Sequence, residues 1–222
     1  MNEIKGNPPD CAGLAMTTLA FIRDNRALWD QVHWRTTRTG CFAWHTAILA
    51  EGIPATPADH KYGEYLLAEP ADNPADIFTP DDGKRPIIHV RARARRLLGL
   101  GEADASALFG PTNTFEALET HVYVLARRPD ELAGLLTRLA VESAKDPFGD
   151  TAIALDTVLD VLDHSYRDMR RPTVDRGHWV AEIRKTAAQT GGVIPSFQLG
   201  RALLALIGDV FDDRLSHLEL AA

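Results

Sequence analysis

The sequence predicts a mainly α fold: a helical N-terminal region with an irregular or short β-hairpin insertion, followed by a C-terminal helical bundle. Three observations predict it. Apolar residues recur at three- and four-residue spacing along most of the chain. Glycine and proline punctuate these runs at intervals that suit helices of ordinary length. One stretch, 52–86, is different in kind and carries Pro54, Pro57, Pro70, Pro74, Pro80 and Pro86 with Asp and Gly between them.

The elements follow in order. Asp10 is placed to cap a first helix to about Leu28, with Leu14, Thr18, Phe21 and Ile22 on one face. Trp29 and Trp34 fall in an irregular connection. The polar segment Arg35-Thr-Thr-Arg-Thr-Gly40 leads into a second helix, 41–50, ended by Gly52 and Pro54. Within the insertion, Tyr62 to Leu67 reads as a short strand that can pair with Ile87 to Val90. Helix resumes near Val90 and stops at Gly99-Leu100-Gly101. A short helix, 102–109, precedes Gly110-Pro111. Asn113 or Thr114 then caps a helix to Leu125, with Phe115, Leu118, Val122 and Leu125 at helical spacing. Beyond Pro129 the pattern gives four helices, near 130–144, 150–169, 174–189 and 197–218, with short connections that suit a bundle. Two regions are expected, 1–128 with its insertion at 52–88, and 129–222.

Composition narrows the function classes. The chain has 222 residues, 45% hydrophobic and 25% charged, enough apolar material for a core without disulfide staples. Its net charge of -7 disfavours nucleic acid and anionic membrane surfaces unless basic residues are segregated. Two cysteines, Cys11 and Cys41, make no secreted disulfide framework. Residues 1–10 have no apolar core of the signal-peptide kind. The most apolar stretch, Leu203 to Phe211, is far shorter than the roughly 20 residues of a membrane span. A cytoplasmic location with no membrane association is the expectation.

Trp34, Cys41-Phe-Ala-Trp44, Arg95-Arg-Leu-Leu-Gly-Leu100, Ala107-Leu-Phe109 and Asn113 resemble a group of small uncharacterised proteins of actinobacteria and their phages. That group carries a Trp, a Cys-x-Ala-(Gly)-Trp helix, a variable insertion, an Ala-Arg-x-Leu-Leu-Gly-Leu turn, a Leu-Phe and an Asn-capped helix. The resemblance covers about 28–126 and implies a shared fold there, with no catalytic role attached. The Gly between Ala and Trp is missing here at Ala43-Trp44, which shifts the residue facing the core.

Several residue groups could carry chemistry. Arg35, Thr36, Thr37, Arg38, Thr39 and Gly40 precede a helix start, where free N–H groups, hydroxyls and guanidinium groups suit a phosphate or carboxylate. The spacing is not that of a P-loop. The alternative is an N-capping loop with solvated arginines. Cys41 and His45 share a helix face. They could form a nucleophile–base pair, or bind zinc with Cys11 and His33, or pack in the core beside Trp44. No cofactor is implied. The clustered Arg91, Arg93, Arg95 and Arg96 with the following helices look superficially like a helix-turn-helix, but the helix 102–109 offers Glu102 and Asp104 to a groove, with Glu116 and Glu119 beyond. Arginines covering a helix face and pairing with carboxylates are the competing reading. The stripes Asp156, Asp160 and Asp163, and Asp209, Asp212 and Asp213, read as solvated faces before they read as cation sites.

Trp29, Trp34 and Trp44 lie close in sequence and could anchor a protein interface or belong to the core. The helix 197–218 has a broad apolar face that would serve a homodimer. On balance the sequence reads as an interaction protein, an accessory factor of phage or mobile-element origin acting on a host or structural partner. The runner-up is a small-molecule or anion-binding enzyme using Cys41, His45 and the 35–40 loop; a helix-turn-helix DNA-binding protein ranks third.

Overall fold

The computed structural model describes residues 11–80, 85–145 and 149–167. The chain divides into two compact units, 1–113 and 114–222. Among the described residues the order is α1 (Cys11–Asp24), α2 (Phe42–Leu49), β1 (Tyr65–Leu67), β2 (Ile77–Phe78), β3 (Ile87–His89), α3 (Val90–Leu97), α4 (Glu102–Leu108), α5 (Phe115–Leu125), α6 (Pro129–Lys145) and α7 (Asp150–Arg167). Helices dominate, and a three-stranded antiparallel sheet of order β1-β3-β2 sits within the insertion.

In the first unit, α1 buries Ala15, Thr18, Leu19 and Ile22. The expected face is therefore rotated, with Leu14 and Phe21 only half-buried. α1 stops at Asp24, and a single 3-10 turn, Arg26–Leu28, follows. α2 is buried along almost its whole length, from Phe42 to Ala47. It ends in a Schellman turn: Gly52 N donates to Ala47 O at 2.9 Å and Glu51 N to Ile48 O at 3.0 Å, with Glu51 at φ 63°.

The pairing expected between 62–67 and 87–90 is present, with Tyr65 opposite His89, Leu66 opposite Ile88 and Leu67 opposite Ile87. Ile77–Phe78 adds a third strand on the other side of β3 that the alternation did not signal. Side chains alternate across a strand. One sheet face is therefore Leu66 and Ile88, both fully buried, with half-buried Ile77, and the other is Tyr65, Leu67, buried Ile87, His89 and Phe78.

α3 starts directly from β3. His89 caps it, its Nδ1 accepting from Arg91 N at 3.1 Å. Gly99, at φ 62°, ends it in a second Schellman turn, with Leu100 N donating to Arg95 O. Asn113 closes α4 rather than opening α5: its Nδ2 donates to Ala107 O at 2.7 Å and Leu108 O at 3.1 Å. Thr114 is the cap of α5, accepting from Ala117 N.

The second unit contains α5, α6 and α7, each touching the other two. Leu132, Leu135, Leu136 and Leu139 on α6, and Leu155, Val158, Leu159 and Leu162 on α7, repeat at i, i+3, i+4 and i+7 and are buried. On α5 the buried residues are Ala117, Leu118, Glu119, Thr120, Val122, Tyr123 and Val124, with Phe115 and Leu125 half-buried. The division at Asn113/Thr114 precedes the boundary expected near Pro129, because α5 contributes its apolar face to this unit. The helices expected at 174–189 and 197–218, and the acidic stripe at 209–213, lie outside the described residues.

Candidate functional site

The segment 29–45, where the sequence concentrates its candidates, is organised around Gln31. Its side chain is buried. Gln31 Oε1 accepts from Trp29 Nε1 at 3.1 Å and from Phe42 N at 3.2 Å, while Nε2 donates to Leu108 O at 3.3 Å. One amide thus ties the loop to the start of α2 and the end of α4. Nothing in the sequence around Gln31 marks it for this role.

The anion cradle expected at 35–40 is closed by its own hydrogen bonds. Thr36 Oγ1 accepts from Arg38 N at 3.2 Å and Thr39 N at 2.9 Å. Gly40 N donates to Leu28 O, Cys41 N to Trp34 O and Phe42 N to Gln31. The main-chain donors of Thr36 and of 38–42 are occupied. Arg35 turns inward, its guanidinium 4.4 Å above the Trp44 ring, and Nη1 donates to Thr56 O and Gly63 O. Gly40 is glycine because a Cβ there would lie 2.4 Å from Trp44 Cδ1. Thr37 and Arg38 are exposed on the outside of this turn.

Cys41 and His45 are both buried. Burial pushes the Cys41 thiol up to about 12, against the nearby N–H groups of Trp44 and Ala43, which favour the thiolate. Its thiolate fraction at neutral pH is then on the order of 10^-5. His45 does not bond to the sulfur; its Nε2–H donates to Leu28 O at 3.1 Å and its ring stacks on Phe21 at 5.3 Å. Burial pushes its pKa down. The two side chains serve packing. Nor do the four zinc candidates come together: Cys11 is half-buried next to Gly99, and His33 is exposed, Nδ1 2.8 Å from Asp30. Among the described residues no group of three or more His, Cys, Asp or Glu is placed to hold a metal ion, the α7 carboxylates Asp156 and Asp160 included.

The arginines of α3 are all committed. Arg91 and Arg95 both bond Glu102, and Arg95 also reaches Asp76. Arg93 is fully buried on Asp72, Glu69 and Leu67 O, and Arg96 reaches the same two carboxylates. Glu119, expected on a repelling surface, is buried within the second unit and accepts from Arg138 Nη2 at 3.3 Å. No basic stripe is left along these helices for a phosphate backbone.

No protein-family model, curated protein or solved structure matches the chain. Its geometry is therefore the ground for any functional reading. Among the described residues no helix is long and apolar enough to cross a membrane.

The three tryptophans do not form one patch. Trp44 is buried under Arg35, and Trp29 is half-buried with Arg26 4.6 Å over its ring. Trp34 alone continues into something larger. Its ring meets His89 edge-on at 5.1 Å, and His89 meets Tyr65 at 5.2 Å, Tyr65 meets Tyr62 at 5.6 Å and Tyr62 meets Phe78 at 5.9 Å. The row includes Tyr65, His89 and Phe78 of the sheet face that also carries Leu67 and the buried Ile87. Beside it is a cavity of about 360 Å³ lined by Ala55, Thr56, Tyr62, Leu67, Pro80, Arg85 and Ile87. Volumes of about 300–1,000 Å³ with apolar and aromatic walls and few polar groups are typical of binding pockets. A second cleft of about 400 Å³ in the second unit is lined by Glu116, Arg138, Glu142 and Asp150 among others. The first was hidden in the sequence by the spread of its residues over 55–87.

Proposed function

We propose that the protein is a non-catalytic interaction protein whose insertion, 52–88, is its recognition surface for a protein partner. The observation that carries this reading is the outer face of the sheet. An antiparallel sheet with one face on the core ordinarily turns polar residues outward. Here the second face carries half-buried Tyr65, Leu67 and His89 and exposed Phe78 beside buried Ile87, joined by half-buried Tyr62 and Trp34, with Phe78 43% exposed. Aromatic side chains at the rim of an apolar cavity are frequent anchors of protein interfaces. The burial of Cys41 and His45 leaves the competing catalytic reading without an accessible nucleophile. The resemblance to actinobacterial and phage proteins makes a host component the proposed class of partner, and a cytoplasmic setting goes with it.

Photo-cross-linking tests the reading. A benzophenone amino acid at position 78, in the full chain added to an extract of the native host, should give a discrete adduct that the same group at exposed position 127 does not give. Equal labelling at both positions, or none at position 78, removes the proposal.

A further inference from the structure

The cavity beside Tyr62 has a chemistry that narrows what can fill it. Its floor is the cross-strand pair Leu67 and Ile87, and Tyr62, Ala55 and Pro80 add further apolar walls. A ligand group entering here must therefore be apolar. Among the described lining residues one carries a charge, Arg85. Arg85 has no hydrogen-bond or ion-pair partner among the described residues, whereas Arg91, Arg93, Arg95 and Arg96 each meet a carboxylate. A guanidinium presents a planar fork of donors matched to a carboxylate.

Two further cations contact residues of this lining. The Lys61 ammonium lies 5.2 Å from the centre of the Tyr62 ring. Arg35 Nη1 donates to the main-chain oxygens of Thr56 and Gly63. Glu64, a carboxylate within this loop, is held by His89 Nε2 at 3.3 Å.

We propose that this cavity captures the C-terminal residue of a partner chain, taking its apolar side chain between Tyr62, Leu67 and Ile87 and its α-carboxylate on Arg85. The proposal rests on the reading of the outer sheet face as a recognition surface and names what that surface recognises. A chain terminus is the place where an apolar side chain and a carboxylate sit on one carbon, the combination this lining selects. A volume of about 360 Å³ accepts one large side chain with its carboxylate and excludes a folded domain.

The test uses three probes on the full-length protein. These are a labelled hexapeptide ending in Phe as the free acid, the same peptide as the C-terminal amide, and N-acetylphenylalanine. Fluorescence anisotropy reads the affinity of the labelled peptides, and amide NMR shifts locate all three probes. The free-acid peptide should bind, shifting Thr56, Leu67 and Ile87, and the amide should bind at least tenfold more weakly. Arg85→Gln should bring the acid down to the amide's affinity and leave the amide unchanged, with an amide spectrum that reports an intact fold. Arg38→Gln, an exposed arginine outside the cavity, should change neither. Equal binding of acid and amide, no binding of either, or tighter binding of N-acetylphenylalanine than of the peptide overturns the proposal. If cross-linking from position 78 still succeeds in that event, the recognition surface stands and only its terminal-carboxylate preference falls.

Discussion

Arg93 and Asp72 form a two-armed ion pair in the interior of the first unit: Nε donates to Oδ1 at 2.7 Å and Nη2 to Oδ2 at 2.5 Å, with both side chains sealed from solvent. The remaining donors of Arg93 reach Glu69 and Leu67 O, and Asp72 Oδ2 also accepts from Glu69 N at 2.8 Å. The pair fastens the turn after β1 onto α3. It thereby holds the strand whose other face lines the proposed recognition surface.

Removing one member should cost far more than the pair contributes. Asp72→Ala leaves a buried guanidinium short of two hydrogen bonds, and such losses run to about 3–5 kcal/mol. Arg93→Met should cost a similar amount, and the double variant should cost much less than the sum of the two. Urea denaturation of the four proteins measures the coupling. Strict additivity would show that the pair is not a unit.

The same pair sets an acid limit. Burial alone would raise the Asp72 carboxyl, but the Arg93 hydrogen bonds, the Glu69 N–H and the charges of Arg93 and Arg96 outweigh it and hold it below the usual carboxylate range. A lowered carboxylate contributes stability that is complete above its unfolded value of about 3.9 and is lost as pH falls through the folded value. The stability gap between the wild type and Asp72→Asn should therefore be constant above about pH 5 and shrink below about pH 4. A gap that widens on acidification would contradict the assignment.

The histidines give a slope nearer neutrality. Burial pushes His45 and His89 down, for His89 against the opposing pull of Glu64. Folded values below the unfolded value of about 6.5 mean that the unfolded chain binds more protons as pH falls. Stability should be complete above about pH 6.5 and decline below it. Protonation of His89 at Nδ1 would also remove the acceptor that caps α3. His89→Asn keeps a good cap and removes the titration, so its stability should fall less steeply between about pH 7 and pH 5. Chemical denaturation at three pH values reads this, and an unchanged slope would reassign the effect to His45 alone.

Thiol chemistry should separate the two cysteines. With its pKa pushed up to about 12 and its side chain buried, Cys41 should resist alkylation in the folded protein and react fully in denaturant. Mass spectrometry after iodoacetamide treatment, compared with half-buried Cys11, follows both sites. Rapid native labelling of Cys41 would restore the catalytic reading.

Helices were legible in the sequence where periodicity and punctuation agree. The second helix was expected at 41–50 and runs Phe42–Leu49; the short helix at 102–109 runs Glu102–Leu108. The β1–β3 pairing was also legible, as two short runs at the two ends of the proline-rich stretch. What escaped was long-range partnership. Val-Arg-Ala-Arg-Ala-Arg-Arg reads as a solvated face, and nothing local reveals that Asp72, 21 residues upstream, buries Arg93. The 35–40 segment has the composition of an anion loop, and only the distant Leu28 O and Gln31 show that Gly40 N and Phe42 N are already used. The cavity beside Tyr62 draws on residues spread from 55 to 87, so no window of sequence contains it.

Helix ends offer a prediction independent of any partner. Three helices end in a residue of the left-handed region: Glu51 after α2, Gly99 after α3 and Arg127 after α5, at φ 63°, 62° and 52°. Each closes a Schellman pair of hydrogen bonds; Arg128 N, for example, donates to Tyr123 O at 2.8 Å. Glycine adopts this conformation without Cβ strain, which other residues meet at a cost of about 1 kcal/mol. Glu51 and Arg127 are both exposed, so replacing them removes no buried contact. Glu51→Gly and Arg127→Gly should each stabilise the protein by up to about 1 kcal/mol, partly offset by the larger entropy of glycine in the unfolded chain. Gly99→Ala should do the reverse, since its Cβ would carry the strain and meet Cys11 Sγ at 3.4 Å. The opposite signs at equivalent positions are the discriminating result. Thermal melts of the three variants that all moved in one direction would mean that something other than the left-handed backbone governs these ends.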